Sequence, residues 1–468
     1  MRHLHTAELR DSWTTWLSVS LTFIAVNAMI ATTALFDAAD AHAVATGAFK
    51  PEPYGGNGFI ITMNYTLSGL IGLLVIGTVT GLVITSRRGS IARLGLAGAS
   101  PLEIIGTLMT QLAVVSLACA LVGDVVAALL VQPALDKQTA TQDMPHIAAV
   151  VAVGPVLLAN LGCVLVAMVG GLRAAVGATR ISPVEALRES QSGPAGRKKM
   201  VGRIIWAAIL TLIIAGTFVG VAKIPANEDP QGTISAIAQA AMTTIPLGAM
   251  LLSTLAPFTM GAITRIWTRI IPSPTGTWHL ARNTVLGKMD RLVRTVVPIM
   301  VTLAILFGMF AVGTMYGASV DAAAGEHVEL TGTDIWALVL AIGAPLLIAV
   351  AGALSAILMM AHQREAELAL DGVLGVTPAQ RIMIPLLEAV IVTVTAALNA
   401  LVIVGLMSGV LYIGLRQILP GFQIVLPWGT FFGLTGLVFV AIAICTVVPT
   451  LRSLRTPEPR VIARYVAA

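Results

Sequence analysis

Two carboxylates, Asp124 and Glu388, fall inside long apolar stretches, where an ionisable side chain is expensive and marks function unless a packing role accounts for it. The chemistry open to them is contact with a cationic or hydrogen-bonding ligand, gating, or an interhelical hydrogen bond that locks packing. Gln111 and Asn399 share those stretches and extend the set of intramembrane polar candidates. The sequence contains no G-x-x-x-x-G-K-[ST] and no H-E-x-x-H. Its seven histidines are scattered, and no Ser/His/Asp set can be placed at one depth. The expectation is therefore a chain that performs no hydrolysis of its own, with no metal site. Cys119, Cys163 and Cys445 all fall in apolar runs, without a CxxC, and are expected to be packing residues.

The elements that hold these side chains must be transmembrane helices. Hydrophobic residues make up 57% of the chain and charged residues 11%, with a mean hydropathy of +0.90, far from the composition of soluble domains. A span takes about 20 apolar residues, because each backbone polar group must be satisfied within its own segment. About ten such runs are expected, at 13–35, 59–85, 104–133, 147–172, 203–222, 237–264, 295–319, 334–361, 382–412 and 427–450. The fold class is an all-α polytopic membrane protein.

With the N-terminus inside, all but Lys50, Lys137, Lys223 and Arg416 of the 28 basic residues fall on the cytoplasmic side, which also places the C-terminus there. The net charge of +5 reflects this orientation and anionic headgroups rather than nucleic acid, which is excluded as a partner. The outer loops are short and carry acids such as Asp37, Asp40, Asp136 and Asp143, so no sizeable outer domain is expected.

A repeat organises the chain. The segment from Arg87 to Pro101 has a counterpart from Arg364 to Pro378, related by a constant offset that pairs Arg87 with Arg364, Ile91 with Leu368, Gly98 with Gly375 and Pro101 with Pro378. The same offset sets Gln111 against Glu388. Four spans lie in each half and two between, a 4+2+4 order; an even number of spans separates the halves, so they are parallel and related by a pseudo-twofold axis along the membrane normal. The expected divisions are 1–190, a linker and central pair at 191–285, and 286–468.

These residues carry a resemblance. The segment Arg87-Arg88-x-x-Ile91-x-x-Leu94-x-x-x-Gly98-Ala99-Ser100-Pro101, between two spans, resembles the cytoplasmic signature of FtsX-like (MacB-type) ABC transporter permeases, and Arg364 to Pro378 resembles it as well. Gln111 and Glu388 stand where that family often places a Glu, and Arg180 to Arg188 looks like its ending. The ten-helix layout without a large outer domain is similar to that of BceB-like members.

The resemblance implies a permease in the bacterial cytoplasmic membrane that carries no cofactor, with ATP and Mg on two separate cytosolic ATPase subunits. It assigns ATPase coupling to Arg87, Arg88, Ile91, Gly98, Ala99, Ser100 and Pro101, and to Arg364, Glu365, Glu367, Gly375, Val376, Thr377 and Pro378. Arg87, Arg88, Glu365 and Glu367 are expected to be exposed charges for ion pairs with that partner. The implied activity is export, or extraction of an amphipathic compound from the outer leaflet. The alternatives are a sensory component working with a two-component histidine kinase or a wall hydrolase, and an ion-coupled carrier using Asp124 and Glu388.

Overall fold

Long apolar runs fold into helices that continue past the hydrocarbon, since only a cap or a turn ends a helix while hydropathy merely marks the membrane. The structure, a computed structural model, describes residues 13–47, 57–87, 91, 94–141, 145–179, 197–224, 230–271, 275–287, 289–324, 340, 343–359, 375–418 and 421–453. Among these the secondary structure is entirely helical. The first half holds α1 (Trp13–Ala45), α2 (Asn57–Ser86), α3 (Pro101–Thr141) and α4 (Val153–Thr179). Then come α5 (Arg197–Ala222), α6 (Pro230–Ile270) and α7 (Gly276–Gly287). The second half holds α8 (Met289–Ala324), α9 (Gly343–Met359), α10 (Pro378–Leu415) and α11 (Trp428–Ser453).

Nine of the described helices are long and apolar enough to cross a membrane. Of the expected spans, 334–361 is represented by the shorter apolar helix Gly343–Met359, flanked by residues outside the described set. The helix α7 has no counterpart among the expected spans, because its twelve residues are too few and too polar to register as one. It packs on α10, α8 and α6, and the expected boundary at 285 falls inside it.

Within the first half α1 packs along α3 and against α2 and α4; in the second, α8 packs along α10, which also holds α11. The central pair leans on the second half, with α6 against α10 and α8, and also against α2. One large core runs through both halves, from Trp16 and Val75 to Phe307, Ile403 and Ile442.

The halves meet through α1, α2, α8 and α9. Thr22 of α1 donates its hydroxyl to Ser355 of α9 at 2.7 Å, and α2 packs on α8. By the repeat offset these are one pairing made twice. Asn64 Nδ2 donates to the Leu340 carbonyl at 3.0 Å, and several turns further along α2 the Val75 side chain lies so close to Gly352 that a Cβ there would collide with it. The two helices therefore run in the same direction. Val75 and Gly352 are themselves equivalent by the offset, and contact between equivalent residues is what a twofold axis produces.

Candidate functional site

Both halves turn from their second to their third helix through the same local chemistry. In the first half α2 ends at Ser86, and the chain passes Arg87 and Ile91 to a short helical turn at Leu94–Leu96. That turn closes as a Schellman motif: Ala99 N donates to the Leu94 carbonyl at 3.0 Å and Gly98 N to the Gly95 carbonyl at 3.1 Å, with Gly98 at φ 91°. The following helix then starts at once. Ser100 is its cap, Pro101 its first residue, and Glu103 Oε2 accepts from Ser100 N at 2.8 Å while Glu103 N reaches back to Ser100 Oγ at 3.3 Å.

The second half repeats the device. Gly375 has φ 90°, Thr377 caps α10, Pro378 follows, and Gln380 closes the capping box with Thr377 N donating to its Oε1 at 3.0 Å and Gln380 N donating to Thr377 Oγ1 at 3.3 Å. Glu103 and Gln380 complete the two elbows and are absent from the residues expected there. The signal was present, since Ser100-x-x-Glu103 and Thr377-x-x-Gln380 both fit the capping-box pattern. At Gly98 and Gly375 a Cβ would meet nothing, so the cost of a side chain is the left-handed backbone alone. Gly98→Ala and Gly375→Ala are each expected to lower stability by about 1–2 kcal/mol, with asparagine losing less. Thermal unfolding of the purified chain measures it.

Beneath the first elbow, Ile84, Ile91, Ile104, Leu108 and Ala175 are buried together, with Leu94 and Ala99 packed on them, which ties the elbow to α3 and to the end of α4. The equivalent of Ala99, Val376, packs on the main core. The tip points away from this support: Leu96 is 56% exposed and Leu102 80%, with Gly98, Ser100 and Pro101 exposed between them. Gly375, Thr377 and Pro378 are likewise exposed.

The structure corrects one expectation. Arg87 is not a surface charge: it is 6% exposed, donates Nη1 to Gln111 Oε1 in a short hydrogen bond, and sits 5.8 Å from the Trp16 ring centroid. Here the guanidinium joins α1, the end of α2 and α3, because Trp16 and Gln111 offer it a π face and an acceptor at one depth. The expected counterparts Arg88, Arg364, Glu365 and Glu367 lie outside the described residues, as does the segment from Arg180 to Arg188.

The four intramembrane polar candidates do not form one site. Gln111 belongs to the Arg87 node, and Glu388 is buried on α10. Asn399 donates to the Thr395 carbonyl of its own helix at 2.7 Å, near a ladder in which Trp267 Nε1 donates to Thr395 Oγ1 at 3.2 Å. Asp124 stands apart on α3, where Asn27 of α1 and Asn160 of α4 both donate to it. Among the described residues no group of His, Cys, Asp and Glu could hold a metal ion.

Comparison with curated proteins gives no match. The family model for the FtsX-like permease C-terminal region matches twice, over residues 63–183 and 339–457. Each match begins in or just before the second helix of a half, contains its elbow and continues past its fourth helix, so the two copies repeat the register read from Gly98 and Gly375. Together the matches cover more than half of the chain, and a multi-pass bundle with this doubled elbow belongs to the FtsX-like permease family.

Proposed function

We propose that the chain is the membrane subunit of an ABC transporter, arranged 4+2+4 about a pseudo-twofold axis along the membrane normal. The divisions are 1–190, 191–285 and 286–468, with α7 joined to the second half. Both elbows and both termini face the cytosol of a bacterial cell, and each elbow receives one cytosolic ATPase subunit that binds ATP and Mg. Nucleotide-driven closure of that pair moves the elbows, and the third helix of each half passes the motion outward to remove an amphipathic compound from the outer leaflet.

The observation that carries this reading is the tip of the first elbow. Leu96 and Leu102 are exposed apolar side chains flanking two back-to-back helix caps at the end of the bundle where Arg87 is buried. A leucine exposed to lipid needs no explanation, but on the aqueous side of a capped turn a pair of them marks a protein contact. The rigid caps matter because a force is transmitted only through a turn that does not unwind.

Affinity purification of the full chain from its native membrane, with the copurifying proteins identified by mass spectrometry, tests the reading. A P-loop ATPase is expected in near-stoichiometric amount. Leu102→Asp, and Leu96→Asp beside it, should reduce its retention by about tenfold or more, the effect of losing about 1.4 kcal/mol of contact. The thermal stability of the chain should be unchanged. Absence of any P-loop protein, or equal retention by both variants, refutes the assignment.

A further inference from the structure

Three helices of the first half converge on one carboxylate. Asn27 Nδ2 donates to Asp124 Oδ1 at 3.0 Å and also to the Ala120 carbonyl at 2.9 Å; Asn160 Nδ2 donates to Asp124 Oδ2 at 2.8 Å. Asn27 is 1% exposed and Asn160 7%, and the Oδ1 atoms of both are buried without a hydrogen-bond partner. Each orphan oxygen shares a carboxamide with the nitrogen that reaches Asp124, so both stand beside the carboxylate. Turning either amide over would set oxygen against oxygen, at Asn27 twice, which fixes the assignment.

Asn27 divides its two N–H groups between Asp124 and the Ala120 carbonyl, and Asn160 gives one of its own to Asp124, which leaves as open acceptors two buried carbonyl oxygens and the unused lone pairs of a carboxylate. Among the described residues no cation pairs with Asp124. Asn64 and Asn399 also keep an orphan Oδ1, yet neither hydrogen-bonds a carboxylate.

The position of the cluster says where a ligand would come from. Along α3 the step from Gln111, which sits at the elbow end with Arg87, to Asp124 is about 20 Å at the helical rise. That is roughly two thirds of a hydrocarbon core of about 30 Å, which puts Asp124 in the half of the membrane opposite the elbows. Asp124 is itself half-buried, and Leu121 and Val125 beside it and Leu157 and Leu161 beside Asn160 are exposed, facing lipid. The partly exposed side of Asp124 is therefore the lateral one, toward acyl chains.

The second half builds the same junction without any of this. At the repeat offset Asn27 corresponds to Ala304 and Asp124 to Leu401, and α11, the counterpart of α4, carries no amide or carboxylate. The fold therefore does not need the polar triad to pack these three helices. A carboxylate held within the membrane, where ionisable groups are costly, and at this junction in one half only, points to a role beyond packing.

We propose that Asn27, Asp124 and Asn160 form a subsite for the primary ammonium group of an amphiphile lying in the leaflet opposite the elbows. An ammonium presents three N–H donors, which matches one carboxylate and two carbonyl acceptors, and its charge neutralises Asp124. The alkyl portion lies along the exposed leucines and valine. This deepens the extraction reading and rests on it for what happens to the ligand, but binding itself requires no ATPase.

The test uses the full chain in nanodiscs of phosphatidylglycerol, with equilibrium dialysis of dodecylammonium corrected by protein-free discs. Saturable binding is expected, weakened about tenfold or more with dodecyltrimethylammonium, which keeps the charge and tail but has no N–H donor. The triple variant Asn27→Ala, Asp124→Leu, Asn160→Leu gives the first half the apolar character of the second; it should keep its unfolding temperature and lose the saturable component. Equal binding of the two amphiphiles to the unmodified protein overturns the proposal whatever the variant does. So does equal binding by the folded triple variant.

Phosphatidylethanolamine in the discs then separates sources: competition identifies a lipid headgroup as the natural ammonium, and its absence identifies a soluble amphiphile. Failure of an ATPase to copurify, with dodecylammonium binding intact, would remove the transporter reading and leave the subsite.

Discussion

Arg87→Glu is expected to lower the stability of the folded chain by about 3–5 kcal/mol, enough to collapse the yield of monodisperse protein, without preventing membrane insertion. The guanidinium is buried, bonded to Gln111 and held against Trp16. Its removal forfeits a charge-assisted hydrogen bond, worth about 1.5–3 kcal/mol, and a desolvated cation–π contact of about 2 kcal/mol. Reversal adds a carboxylate facing the Gln111 carbonyl oxygen. The double variant Arg87→Glu, Gln111→Arg restores a donor to the node and should recover much of the loss, whereas Gln111→Leu should not rescue Arg87→Glu. Thermal unfolding followed by size-exclusion fluorescence in detergent measures all three. An unchanged midpoint in Arg87→Glu would show that the node does not exist. This also explains why Arg87 is a poor probe of ATPase docking: loss of a partner from a destabilised chain says nothing about contact, so that question belongs to Leu96 and Leu102.

The contrast between Arg87 and the elbow caps shows what the sequence could reveal. Caps are local: Ser100, Pro101 and Glu103 lie within one turn, as do Thr377, Pro378 and Gln380, and short-range spacing carries their whole chemistry. The repeat was legible for the same reason, as Gly98 and Gly375 answer to one backbone requirement, met at φ 91° and 90°. Arg87 was misplaced because the excess of basic residues on one side reports orientation, which says nothing of burial. Trp16 and Gln111, which hold it, come from two other helices.

The Asp124 cluster was half legible. The carboxylate announced itself by its cost, but Asn27 stands 97 positions away in sequence and Asn160 36, and nothing in spacing ties them to it. Helix ends were underestimated for a further reason. The helix α3 runs 41 residues, about 60 Å at the helical rise, against an expected span of 104–133. Its polar last turns are supported by the following loop, where Gln132 Oε1 accepts from Ala149 N at 2.8 Å, a contact invisible to a hydropathy window.

The axis between the halves makes the second strong prediction. Val75 is fully buried, and its side chain occupies the space that a Cβ on Gly352 would need. Gly352→Val alone forces two side chains into one site and should cost about 1–3 kcal/mol from overpacking. Val75→Gly alone removes a buried side chain, about 1.5–3 kcal/mol, and adds roughly 1 kcal/mol for glycine within a helix. If the two positions are related by a twofold axis, exchanging them puts the same valine against the same glycine from the other side. The double variant Val75→Gly, Gly352→Val should then come within about 1 kcal/mol of the unmodified chain, a coupling energy of several kcal/mol between residues distant in sequence. No contact between inequivalent positions predicts this, because an exchange across an unsymmetrical interface would leave one side overpacked and the other empty. Denaturation of the four proteins of the cycle in one detergent decides it, and a double variant as unstable as the sum of the singles would place the axis elsewhere.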